Sequence, residues 1–242
     1  MSLAVLYQDA HVAAVDKPAG RIVVPGRGAP ERTVREEAEV LLGPVWVVHR
    51  LDRGTSGVLL LARSAGAHRG ACLAFERHRV TKRYLALVRG VVSAPGRVEA
   101  PIEPAARGLM RTGSGRGARP AATFVRPVAA FPAVGAFPVL TLVEAFPESG
   151  RTHQVRVHLA HAGHPLAVDP AYGGAETLRD GSGAVLLDRT PLHAASLELL
   201  HPVGGAPLRI EAPLPPDLAA LLAALQAARG SPPAGGQESK SG

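Results

Sequence analysis

The chain of 242 residues contains a single cysteine, Cys72. One thiol cannot close an internal disulfide, and Cys-rich zinc sites are excluded with it. Cys72 lies in GACLAFERH, a stretch of helical pattern, and reads as a buried structural thiol rather than a nucleophile. A reducing, cytoplasmic setting is expected. Aromatic residues are scarce at 4%, so the core must rest mainly on Val, Leu and Ala. No apolar run reaches the roughly 18 residues that a membrane-spanning helix needs. The start, MSLAVLYQDAH, lacks the basic residues and apolar length of a secretory signal. There is no internal repeat, no G-x-S-x-G elbow, no phosphate-binding G-K-[ST] and no H-E-x-x-H.

What is present in excess is positive charge. Lys and Arg number 27 against 20 Asp and Glu, a net charge of +7. Such a balance favours a polyanionic partner, because Lys and Arg displace the counterions around phosphates. With no membrane-spanning segment, nucleic acid is the expected partner.

Hydrophobic patterning places the elements. LAVLYQDAHVAAVDKPAG reads as a β-hairpin ended by a Lys-Pro-Ala-Gly breaker. Residues 31–42 carry helix formers and stop at Gly43-Pro44. Residues 45–48 form a short strand, and 57–62 a wholly apolar one buried on both faces. A helix over 65–78 and a strand over 84–92 follow, then strands at 124–128 and 139–144. Thr152 caps a helix that runs to Ala162 and stops at Gly163. A strand at 192–200 and a helix at 217–228 complete the pattern. The mixture lacks regular βαβ alternation, which predicts an α+β fold with a mixed, largely antiparallel central sheet. A single domain over residues 1–228 and a disordered tail over 229–242 are expected. Residues 107–120, RGLMRTGSGRGARP, have no periodicity and read as a mobile basic loop.

Three segments can carry chemistry. HRLDRGTSG, residues 49–57, sets Asp52 between Arg50 and Arg53 in a loop between two strands. The two arginines favour an ionised carboxylate, although a turn in which Asp52 caps the backbone is equally compatible. GRTHQVRVHLAHAGH, residues 150–164, puts Arg156 on a helix and holds four histidines. His158 and His161 are spaced i, i+3, and no carboxylate lies within the segment, which argues against a metal site. KRYLALVRG, residues 82–90, carries Tyr84, either a core residue or one that stacks on a base.

Together these segments resemble the RluA-type family of RNA pseudouridine synthases. HRLDRGTSG is similar to the family's H-R-L-D-x-x-T-S-G signature, KRYLALVRG to its K-x-Y segment, and GRTHQVRVHLAHAGHPL to its G-R-T-H-Q-I-R motif. LYQDAHVAAVDKPAG resembles the opening and PLHAASLELLHP the closing strand, so the resemblance spans about residues 3–213 in family order. It implies a pseudouridine synthase fold and the isomerisation of uridines in structured ribosomal or transfer RNA. Asp52 matches the catalytic aspartate that attacks or deprotonates the ribose. Tyr84 matches the tyrosine that packs on the base and is a candidate proton acceptor. Arg156 matches the arginine that pairs with the aspartate. Arg50 matches an arginine that contacts RNA beside the flipped nucleotide, and Leu199 or a neighbour supplies an apolar wall.

Arg53, Arg151 and His153 are further candidates for RNA contact. Arg107, Arg111, Arg116 and Arg119 form a candidate clamp on the RNA backbone. The chemistry requires no cofactor and no metal, and a monomer without membrane attachment is expected. Two positions depart from the family pattern: Val168 stands where Gly usually precedes the aspartate of G-D-x-x-Y-G, and Arg21 follows Lys-Pro-Ala-Gly where an apolar residue is usual. Many relatives carry a small N-terminal RNA-binding module; this chain starts directly with the resembling segment and is expected to find RNA without one. The rival readings are a non-catalytic RNA-binding protein on the same fold and a His-dependent metal enzyme.

Overall fold

The apolar run of residues 57–62 becomes the middle of a ten-stranded sheet. The structure is a computed structural model that describes residues 3–25, 31–131, 133 and 139–230. Its strands are β1 (Ala4–Gln8), β2 (Val12–Lys17), β3 (Trp46–Val47), β4 (Ser56–Ala62), β5 (Thr81–Arg89), β6 (Gly96–Glu99) and β7 (Ile102–Pro104). They continue with β8 (Met110–Thr112), β9 (Ala122–Phe131), β10 (Leu140–Pro147), β11 (Leu178–Arg179), β12 (Val185–Leu187), β13 (Leu192–Leu200) and β14 (Pro207–Glu211). The helices are α1 (Val34–Leu42), α2 (Ala65–Glu76), α3 (Gln154–His161) and α4 (Pro216–Gly230).

The large sheet runs β1-β2-β4-β13-β5-β10-β9-β6, with β14 on β13 and β3 on β4. Among the described strand pairs only β4 and β13 are parallel, so the sheet is largely antiparallel as expected. Every residue of β4 is buried. Val58, Leu60 and Ala62 pack with Val12, Leu197 and Ile210, while Leu59 and Leu61 point the other way to Val34, Ala38 and Leu42. Helices covering both faces explain why β4 is continuously apolar. Leu218, Leu221 and Leu225 of α4 close a further cluster around Leu87 and Leu140.

The parallel seam demands glycine. Gly57 has φ +112°, and a Cβ there would stand 2.2 Å from the Ala194 carbonyl oxygen on β13. Several element boundaries differ from the sequence pattern, those of α1 and β5 for local reasons. Helix α1 starts at Val34 because Thr33 and Glu36 form a reciprocal capping box. Strand β5 spans 81–89 rather than 84–92, ending where Gly90 turns at φ +81°. Helix α4 continues to Gly230, and the remainder of the tail expected to be disordered lies outside the described residues.

Candidate active site

The loop between β3 and β4 is held from beneath by Lys17. This side chain is fully buried, and its Nζ donates to the carbonyls of Pro18 (2.9 Å), Arg21 (2.8 Å) and Arg53 (3.2 Å). Burial pushes its ammonium down to about 7, while the nearby Asp52 charge pulls the other way. One lysine thus ties the Lys-Pro-Ala-Gly turn to the HRLDRG loop. His49 accepts from the Leu60 amide through Nε2 (3.0 Å) and stacks on Phe75 at 4.6 Å between centroids. Burial, with Lys82 nearby, lowers its pKa to about 3, so the ring is neutral. Arg53 donates to the Gly20 carbonyl and pairs with Glu31 at 3.2 Å, so it braces the loop. Arg50 is exposed on the cleft margin.

This loop forms one wall of a cleft of about 730 Å³. Lys82 and Tyr84 of β5 and Leu192 of β13 line it, and the start of α3 faces the loop. The size suits a nucleotide-sized ligand. The Asp52 side chain stands between two nitrogen groups: Oδ2 is 3.6 Å from Arg156 Nη1, and Oδ1 is 4.0 Å from His153 Nε2. Tyr84 is half-buried; burial, and then the Asp52 charge, raise its phenol pKa well above the ordinary value. At neutral pH the phenol therefore keeps its proton. Lys82 donates to the Ser149 carbonyl (2.7 Å), and burial lowers its ammonium to about 8.

Arg156 faces Asp52 and holds a second, closer partner in Asp169: Nε and Nη2 donate to the two Asp169 oxygens at 2.7 and 2.8 Å. Asp169 is 1% exposed, so this fork is a buried, bidentate, charge-assisted pair. Only Nη1 of Arg156 is left to face Asp52. The Tyr172 ring lies 4.8 Å from the guanidinium carbon, and its hydroxyl meets His153 Nδ1 at 2.7 Å. Asp169 sits beside the departure at Val168. Val168 itself is buried in the α4 cluster. The tight approach falls to Gly174, where a Cβ would lie 2.4 Å from the Asp169 amide. Arg21 pairs with Glu37 of α1, so the second departure joins the turn to that helix.

Residues 11–161 match the RNA pseudouridylate synthase family. The chain belongs to that family. It is 39% identical over 236 residues to ribosomal large subunit pseudouridine synthase D of Xanthomonas campestris, covering 93% of this chain and 70% of the relative. The protein of the same name from Escherichia coli strain K12 is 33% identical, with 93% and 71% covered. Among solved structures, human RNA pseudouridylate synthase domain containing 1 superposes with a TM-score of 0.71 at 25% identity, covering 96% of each chain. The chain is an enzyme that isomerises uridine in RNA to pseudouridine.

In this synthase the start of α3 departs from the predicted capping. Thr152 is not the cap; His153 occupies that position in the left-handed region (φ 55°) without a capping side-chain bond. The Gln154 side chain instead ties the preceding turn to the helix, accepting from the Arg151 amide (3.0 Å) and the Ser149 hydroxyl (2.6 Å). The helix stops as expected at Gly163, φ +83°. His158 is buried between the Thr123 hydroxyl (2.8 Å) and the Ala100 carbonyl (3.0 Å), and burial lowers its pKa. Among the described residues no three His, Cys, Asp or Glu side chains gather as a metal site. Cys72, on α2, is half-buried, and burial raises its thiol pKa. Leu199 packs in the core beside Val12 and Ile210; the apolar residue of β13 at the cleft is Leu192.

The 107–120 segment is not a loose loop. It folds about Glu103, a buried carboxylate that accepts from Arg111 Nε (2.8 Å) and the Gly115 amide (2.6 Å). Strand β8 pairs with β7, and Arg107 turns in the left-handed region at φ 56°. Arg111 is thus partly engaged by Glu103. Arg116, Arg119 and Arg151 line a second groove of about 810 Å³, and Arg151 Nε also donates to the Pro120 carbonyl (3.2 Å). Gly150, Arg151 and Thr152 belong to both the groove and the main cleft.

Proposed function

We propose that the cleft receives one uridine turned out of the RNA and that Asp52 is the carboxylate that acts on its ribose, by attack at C1′ or by removal of the C2′ proton. The observation that carries this reading is the position of Asp52, in a nucleotide-sized cleft, facing Arg156 Nη1 at 3.6 Å and His153 Nε2 at 4.0 Å. Arg156, itself fixed by Asp169, orients the carboxylate. Tyr84 packs on the uracil; with its phenol protonated, it takes up the C5 proton only if its own proton leaves in the same step. The N1–C1′ bond breaks, the uracil turns, C5 joins C1′, and the C5 proton departs. No electron or water is consumed, so the reaction needs neither metal nor cofactor.

Turning a base out of its stack costs a few kcal/mol. Arg50 at the cleft margin is suited to fill the vacated space and touch phosphate. Arg116, Arg119 and Arg151 offer a basic surface along the second groove for the flanking backbone, with Arg107 exposed on the same segment and with Arg53 and Arg111 secondary because protein carboxylates engage them. The names of the relatives support large-subunit ribosomal RNA as the substrate. We place the enzyme in the cytoplasm, acting as a monomer.

Tritium release from RNA labelled with [5-³H]uridine, without added metal or cofactor, tests the assignment. Wild type is expected to release tritium from ribosomal RNA, and Asp52→Asn to release none. Equal release by both proteins would remove Asp52 from its role. Release confined to transfer RNA would overturn the substrate.

A further inference from the structure

Tyr172 and His153 stand beside Asp52, Tyr172 with no role assigned above and His153 with only that of a candidate RNA contact. The Tyr172 oxygen accepts the Met110 amide proton at 3.0 Å and lies 2.7 Å from His153 Nδ1. We infer that the hydroxyl gives its own proton to Nδ1, the arrangement in which it both accepts and donates, and that the imidazole proton then sits on Nε2. That nitrogen faces Asp52 Oδ1 at 4.0 Å. In the opposite tautomer an Nε2 lone pair would confront a carboxylate oxygen, acceptor against acceptor. The bond made by one imidazole nitrogen commonly decides the state of the other.

The backbone supports the same reading. His153 is held at φ 55°, a conformation a β-carbon-bearing residue adopts reluctantly, and it makes no helix-capping bond there. A non-glycine residue kept in such a region points to a demand on its side chain. Here that demand is to meet Tyr172 and Asp52 at once. Two carboxylates, Asp52 and Asp169, and two guanidiniums, Arg156 and Arg50, surround the ring. Burial holds its pKa below the ordinary imidazole value, which keeps the tautomer question in force at neutral pH.

We propose that Tyr172 and His153 are a positioning pair for the catalytic carboxylate: the Tyr172 hydroxyl fixes the tautomer that turns an N–H toward Asp52, while Arg156 holds the other oxygen. The proposal rests on the assignment of Asp52 as the acting carboxylate. It also changes the role of His153 from RNA contact to orientation of Asp52. Because the Met110 amide shares the Tyr172 oxygen, the pair is where the basic β7–β8 hairpin meets the catalytic centre.

The tautomer is read directly from ¹⁵N-histidine-labelled wild type by long-range ¹H–¹⁵N correlation. A protonated Nε2 and bare Nδ1 at His153 are expected; a protonated Nδ1 with bare Nε2 overturns the proposal whatever the variants do. In kinetics, His153→Gly removes the side chain while relieving the backbone. It is expected to keep its Tm and its KM for RNA and to lose about tenfold in kcat, the scale of one hydrogen bond to a charged group if the N–H closes on Asp52 when substrate binds. Tyr172→Phe keeps the ring beneath Arg156 and is expected to lower kcat in the same way. The double variant should be no slower than the slower single one, since both act through one path. Additive losses, or a raised KM with unchanged kcat, would return His153 to an RNA contact. Asp52→Asn is run alongside: if it retains activity, the carboxylate assignment falls. If it is inactive while His153→Gly turns over like wild type, only the pairing falls.

Discussion

Asp169→Asn separates the architecture of the site from its chemistry. The substitution keeps the volume of the side chain and deletes the charge that the Arg156 guanidinium grips through two bonds of 2.7 and 2.8 Å. Removing one partner of a buried pair costs about 3–5 kcal/mol, because the surviving charge is left uncompensated. Two features of this site reduce that cost. Asp52 Oδ2 stands 3.6 Å from Nη1, close enough to take over part of the pairing, and the Tyr172 ring lies 4.8 Å from the guanidinium carbon. The expected loss is therefore at the lower end, about 3 kcal/mol. For a chain of this size, at roughly 2–4 °C per kcal/mol, Tm should fall by about 6–12 °C. Activity should fall further than unfolding explains. Arg156 would be drawn fully onto Asp52, and the carboxylate would be engaged before the ribose arrives. Thermal melts and single-turnover tritium release well below Tm measure the two losses separately. A Tm within about 2 °C of wild type, which is less than about 1 kcal/mol, together with unchanged turnover would refute the view that Asp169 holds Arg156 in place.

Other perturbations follow from the same geometry. Gly57→Ala sets a Cβ 2.2 Å from the Ala194 carbonyl oxygen at φ +112°; it should cost at least about 3 kcal/mol, and a melt indistinguishable from wild type would contradict the close seam between β4 and β13. His49 is held neutral down to about pH 3, whereas in the unfolded chain it takes up a proton near the ordinary imidazole value. Its contribution to stability is therefore intact above about pH 6.5 and lost as pH falls toward 3, by up to about 1.4 kcal/mol per pH unit. Denaturant midpoints of His49→Gln should show a shallower acid slope than wild type, and parallel slopes would clear His49. For RNA binding, Arg116→Ala with Arg119→Ala should weaken affinity and reduce the salt slope by about 0.7 for each phosphate of single-stranded RNA that is no longer neutralised. A slope unchanged in the double variant would take the second groove out of RNA binding.

The elements that reveal themselves in the sequence are those whose burial is periodic or continuous. The hairpin of β1 and β2, the all-buried β4 and the long β13 each leave a one-dimensional imprint, and Asp52 lies in a signature loop between two strands. The rest depends on single tertiary contacts that leave no period. Asp169 meets Arg156 across a chain reversal; the resemblance marks it as the aspartate of a G-D-x-x-Y-G segment, but no periodicity in V-D-P-A-Y shows that it is buried against an arginine. Residues 107–120 look shapeless because one residue outside the segment, Glu103, organises them, with Gly113 and Gly115 small enough to close on it. Lys17 passes for part of a breaker, since a fully buried lysine bonded to three carbonyls has no local signal. The cap of α3 does not fall on Thr152 because His153 takes the position ahead of the first helical residue, where no side chain caps the helix.

The strand order β4-β13-β5 also constrains when the enzyme comes into being. The strand that follows the Asp52 loop and the strand that carries Tyr84 do not pair with each other; β13 lies between them, and it is made more than a hundred residues later in the chain. A polypeptide leaving the ribosome N-terminus first thus exposes two unsatisfied strand edges through most of its synthesis. The catalytic cleft closes only when Leu192–Leu200 arrives to join them, a long-range step of the kind that slows folding. Nascent chains are therefore expected to lack catalytic activity until that strand inserts.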